Sequence, residues 1–130
     1  MSAAAPGTNP AAVRMRIVGG ANMPTAHLRI NGTFPFGVLL ISDHSVEVRI
    51  RPSWFGAVPL IARPADLRLV FPIRRAARQS GVGFRTPDGR EWYFWTSKAS
   101  GQAALELLSH LGYPISWTAE PATKVWRATP

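Results

Sequence analysis

The spacing of apolar residues changes once along the chain. Up to residue 96 they recur mostly at every second position, and after residue 97 at every third or fourth. The cleanest alternation is Ser45-Val46-Glu47-Val48-Arg49-Ile50-Arg51. In a strand, Val46, Val48 and Ile50 share one face, and Glu47, Arg49 and Arg51 share the other. Residues 27–30 form a short strand of the same kind, and the apolar run 38–42 has the length of a buried strand. Residues 58–62 and 66–71 predict two more, the second with Leu67, Leu69 and Phe71 on one face. Residues 31–37 and 52–57 read as loops carrying Phe34, Phe36, Trp54 and Phe55, and residues 74–80 as a polar, basic connection. Pro87-Asp88-Gly89-Arg90 holds the Asp-Gly pair of a tight hairpin. Nearer the N-terminus, residues 13–18 alternate apolar and basic and can form an edge strand, which Gly19-Gly20 and Pro24 then break.

Glu91-Trp92-Tyr93-Phe94-Trp95-Thr96 returns from that hairpin with aromatic rings on both faces. A base-stacking platform needs exposed rings interleaved with phosphate-binding charges. The neighbours here are Glu91, Thr96 and Ser97, so the strand reads as core covered on both sides. Ser97 or Ser100 can then cap a helix over residues 98–111, with Ala104, Leu107, Leu108 and Leu111 as its apolar stripe. Gly112 and Pro114 end it. These signals divide the chain into a leader at 1–26, a folded domain at 27–113 and an irregular tail at 114–130 that carries Trp117 and Trp126.

Composition narrows the function classes. Hydrophobic residues make up 46% and charged residues 17%, enough for a single packed core. Without cysteine there are no disulfides and no thiolate zinc sites or nucleophiles. No segment has the roughly 20 consecutive apolar residues of a spanning helix, and residues 1–14 lack a secretory pattern. The expectation is a soluble, cytoplasmic protein. The net charge of +8 favours an anionic partner: nucleic acid, lipid or acidic protein. Thirteen of the 15 basic residues are Arg, as a GC-rich genome writes by default, and only Arg74, Arg75 and Arg78 cluster.

Catalytic signals are missing from the sequence. His27, His44 and His110 lack metal-ligand spacing. Residues 80–83 are too short for a phosphate-binding glycine loop, and no nucleophile elbow occurs. Asp43, Asp66 and Asp88 fall in or beside turns, Glu47 beside Arg49 and Arg51, and Glu106 on the polar side of the helix. The chain reads as a non-enzyme with no cofactor and no metal.

About seven short strands followed by one amphipathic helix resembles the pleckstrin-homology-like fold and its GRAM-type relatives. The stretch GVGFRTPDGREWYFWTSKASGQAALELLSHLGYP is similar to the small proteins of this kind from actinobacteria. The resemblance covers roughly residues 28–113. It implies a mainly β, seven-stranded orthogonal sandwich or partial barrel, one open end plugged by the C-terminal helix. It also implies ligand binding at loops of the other end, which here are residues 31–37, 52–57 and 87–90. Those loops carry Phe34, Phe36, Trp54 and Phe55, with Arg29, Arg51 and Arg90 at their roots. Residues 31–37 contain no basic residue, a departure from the phosphate-gripping motif of phosphoinositide-binding members.

Two readings of these rings stay open. They fold inward and close the barrel mouth, or they form an anchor for a partner. On the second, the chain is a non-catalytic module that recruits a protein through loop tips or a sheet edge. The alternative is a peripheral binder of anionic membrane at its inner face, using the rings and arginines. A nucleic-acid binder would rely on Arg74, Arg75 and Arg78, with Arg14 and Arg16. Residues 13–18 could also pair with a second copy.

Overall fold

A computed structural model of the chain describes residues 12–25, 29–51, 57–75 and 78–122. It is mainly β, with eight strands in one curled, half-barrel sheet and one helix. The strands are β1 (Val13–Pro24), β2 (Arg29–Ser42), β3 (Val46–Ile50), β4 (Leu60–Ala62), β5 (Leu69–Arg75), β6 (Arg78–Arg85), β7 (Glu91–Trp95) and β8 (Glu120–Pro121), and the helix is α1 (Lys98–His110). Their order across the sheet is β4-β3-β2-β1-β7-β6-β5-β8. β1 therefore joins two antiparallel groups, β2–β4 on one side and β5–β7 on the other. The expected strand count was seven; β8, two residues long, runs parallel to β5.

The alternating segments behave as their pattern demands. Val46, Val48 and Ile50 are buried, while Arg49 is exposed. β7 is covered on both faces. Trp92 and Phe94 enter the main core with Leu39, Ile41, Val82, Phe84, Leu105 and Leu108, and Tyr93 joins Phe71 and Ile73 in a second cluster on the outer face. Burying rings of this size contributes on the order of 2–3 kcal/mol each. The indole Nε1 of Trp92 donates to the Val58 carbonyl at 2.7 Å, so the ring enters the core with its polar atom satisfied. Ser97 caps α1 by accepting from the Ser100 amide at 3.1 Å, and Gly112 takes the left-handed φ of +94° beyond its end. The helix's buried side is Gly101, Ala104, Leu105 and Leu108, with Leu107 and Leu111 partly buried.

Several expectations are corrected. Gly19-Gly20 does not break the first strand: residues 13–18 lie at a sheet edge among the described residues, as expected, but β1 is not confined to a leader and continues into the middle of the sheet. It runs on to Pro24, and Gly20, Ala21 and Asn22 pair with Trp95, Phe94 and Tyr93 of β7. The glycines are there for close approach. A Cβ on Gly19 would stand 2.2 Å from the Trp95 carbonyl oxygen, and one on Gly37 2.5 Å from the Gly20 carbonyl carbon. Residues 31–37 are not a free loop but part of β2, and of the expected connection at 74–80, residues 74–75 end β5 and residues 78–80 begin β6. A 3-10 turn at Pro64–Asp66 resets the phase before β5. Leu67 and Val70 then reach the main core, while Leu69, Phe71 and Ile73 face outward. The tail is not irregular throughout. Val70 donates to the Pro114 carbonyl and accepts from the Ser116 amide, both at 2.8 Å, and β8 then docks beside Ile73 and Arg74.

Candidate binding surface

The β1–β2 ladder contains one large irregularity. Ala21 pairs with Gly32 and Gly19 with Gly37, so the four residues 33–36 stand opposite the single Gly20. The surplus chain has to leave the sheet, and it carries its rings outward with it. Phe34 is 72% exposed and Phe36 43% exposed. The peptide bond between Phe34 and Pro35 is cis. The end of the excursion is pinned where the Arg51 amide donates to the Phe36 carbonyl at 2.7 Å.

The sheet beside the excursion presents two cross-strand rows on its outer face. Arg16, Leu40, Glu47 and Ile61 form one, and Val18, Val38 and Arg49 the other. Paired residues share a face, so the rows place arginines beside apolar side chains. A groove of about 400 Å³ runs between Arg16, Val18, Pro35, Phe36, Val38 and Arg51. Arg49 is held by Glu47 at 2.8 Å, and Arg14 by Asp43. Arg16 and Arg51 have no carboxylate partner among the described residues.

On the other side of the excursion lies a cleft of about 570 Å³, opened where β1 parts from β7. Gly19, Phe34, Ser80, Trp95 and Ser97 are among its walls. The Ser80 hydroxyl is buried there without a hydrogen-bond partner among the described residues, an arrangement that costs stability when left unmet. Val18 borders both groove and cleft. Because β7 meets β1 only at Gly20, Ala21 and Asn22, residues 13–18 have β2 on one side and no strand on the other among the described residues.

The residues singled out from the sequence fall into separate places. Phe34, Phe36 and Arg51 come together as above. Arg29 does not join them: it is a structural cation on the outer face. It donates through Nε to the Asn22 side chain and through Nη2 to the Glu91 carbonyl at 2.7 Å, and it lies 5.1 Å over the Tyr93 ring. Burial lowers its pKa from the usual arginine value, opposed by Tyr93 and Glu91. Arg90 belongs to the β6–β7 turn, 3.1 Å from Asp88 and 5.3 Å over the Trp92 ring. Hydrogen bonds from the Thr86 hydroxyl, then from Arg90, hold the Asp88 carboxyl below its ordinary pKa. Trp54 and Phe55 lie outside the described residues. Arg74 is exposed near the end of β5, and the backbone register pairs Arg75 with Arg78 across the hairpin. His44 and His110 are exposed, and His27 lies outside the described residues. Among the described residues no group of His, Cys, Asp or Glu is placed to hold a metal, and no helix is long and apolar enough to cross a membrane.

Sequence reasoning missed a buried charged network. Glu91 is 3% exposed and accepts from Arg85 Nε at 2.6 Å and from the Tyr93 hydroxyl. Arg85 reaches Glu120 at 3.0 Å and lies 5.0 Å over the Phe71 ring. The hydrogen bond to Glu91 is the main reason its pKa is raised. The available signal was strand parity, which puts Glu91 on the same face as Tyr93. No family model matches the chain, and a search of curated proteins finds no match either.

Proposed function

We propose that the chain is a non-catalytic, pleckstrin-homology-like binding module that holds a protein partner against the outer face of β1, β2 and β3. The PH-like reading draws support from the antiparallel strand groups joined through β1 and from the helix that follows the last hairpin and packs on the inner face. The binding reading is carried by one observation. Phe34, a large ring, stands 72% exposed in the wall of the cleft, and Phe36, 43% exposed, lines the adjoining groove with Arg16 and Arg51, which have no carboxylate partner among the described residues. Exposed aromatics flanked by arginine are the residue types that anchor protein interfaces. Concave walls on both sides suit a shaped partner better than a flat bilayer.

The test is selection of binders from a displayed peptide library on the full chain, with vesicle flotation in parallel. The module reading expects selected peptides that lose binding on Phe34→Ala, and no flotation with anionic vesicles at physiological salt. Flotation that survives that salt and is lost on Phe34→Ala would replace it with the peripheral-membrane reading.

A further inference from the structure

We infer that the partner segment is an extended peptide with acidic and apolar residues in alternation, which joins the sheet as a strand along residues 13–18 of β1. This rests on the binding-module reading and names the chemistry of its partner.

The open side of β1 presents backbone N–H and C=O groups at every second residue, a template for another strand. Cross-strand neighbours share a face, so β1 dictates what the added strand must carry. On the outer face Arg14, Arg16 and Val18 are exposed, and on the inner face Met15 and Ile17 are half-buried against the main core. Apolar side chains beside Met15 and Ile17 would complete their burial. The residue beside Arg16 should be acidic, because this guanidinium has no carboxylate partner among the described residues, whereas Arg14 is engaged by Asp43. Beyond Val18 the added strand would meet the cleft lined by Phe34, Ser80 and Trp95. The net charge of +8 favours an acidic segment at long range as well.

A second copy of the chain fits this edge poorly. If two β1 edges pair antiparallel with both inner faces on the same side, Arg16 of one copy falls opposite Arg16 or Arg14 of the other, or one residue pair beyond. Like charges face each other directly across the join in the best-overlapped registers, and that is destabilising.

The probe is a short fluorescein-labelled peptide of alternating glutamate and valine, titrated into the full chain and read by anisotropy. Binding is expected to weaken roughly tenfold when the peptide is N-methylated at alternate amides in one frame, and to change little in the other. In an edge strand only one frame faces the ladder. Arg16→Glu should weaken the glutamate–valine peptide by a similar factor and gain affinity for a lysine–valine peptide. A merely structural role for Arg16 would not produce that exchange. Equal insensitivity to both methylation frames, or equal binding of the two peptides by the wild-type chain, would overturn the inference. So would absence of glutamate–valine binding. In each of those cases the library selection with Phe34→Ala still reports separately on the module.

Discussion

The two halves of one sheet face treat the same residue types in opposite ways. On the outer face of β5, β6 and β7, Phe71, Ile73 and Tyr93 are fully buried. Arginine serves there as structure: Arg85 bridges Glu91 and Glu120, and Arg29 lies over Tyr93. On the outer face of β1, β2 and β3, Phe34 and Phe36 stand in solvent, and Arg16 and Arg51 lack carboxylate partners among the described residues. A net charge of +8 says nothing about this division. What decides it is which arginines meet acceptors or rings brought from elsewhere in the chain. Where the tail delivers Glu120 beside β5, charge is absorbed into the fold, and where nothing of the kind arrives, charge is left for a partner.

The contrast can be broken from its closed side first. Glu91→Gln should cost about 2 kcal/mol, because the partly exposed Arg85 and the buried Tyr93 hydroxyl lose a charged acceptor. Arg85 keeps Glu120, which holds the loss to the lower end of the range, and urea unfolding reads it. Tyr113→Phe should cost about 1 kcal/mol for the lost hydrogen bond to the Ala62 carbonyl at 3.1 Å. The same tyrosine gives a pH signature. Burial pushes its pKa up from 10.0 to about 12. Its contribution is therefore fully present below pH 10 and is lost as pH rises toward about 12, when the unfolded chain ionises first. Thermal unfolding across that window should show a fall in Tm that Tyr113→Phe flattens. The smallest effects belong to the open side. Phe34→Ala and Arg16→Gln should each change stability by no more than about 0.5 kcal/mol while weakening binding, Arg16→Gln by less than the roughly tenfold of Arg16→Glu. A loss of about 2 kcal/mol for Phe34→Ala would mean that the ring is a plug of the fold.

Locally coded features were legible in the sequence. The alternation at residues 46–50, the Asp-Gly turn before β7, the two-sided aromatic strand and the Ser97-capped helix all rest on contacts within a few residues or on period alone. What was not legible depends on chain far away. Gly19-Gly20 carries the local signature of a break, yet it serves a strand that presses against Trp95 and Gly37. The Pro-rich tail reads as irregular because no period announces that Glu120 will reach Arg85, 35 residues earlier. The site shows the same split. Phe34 and Phe36 could be found in one irregular segment and Arg51 at the root of another, but not that the fold would bring them together. Arg29 and Arg90 looked equivalent until the structure gave them Glu91, Tyr93, Asp88 and Trp92 as partners. Arg16 and the edge at residues 13–18 could be named from the sequence, but not that Asp43 would take Arg14 and leave Arg16 without a carboxylate among the described residues.

The most direct test of the account is amide chemical-shift mapping on the ¹⁵N-labelled full chain with a peptide returned by the library selection. Perturbed amides are expected at residues 13–18, 33–37 and 49–51, the edge, the excursion and the groove wall. Perturbations confined to residues 69–73 and 86–95 would place recognition on the closed half and contradict it.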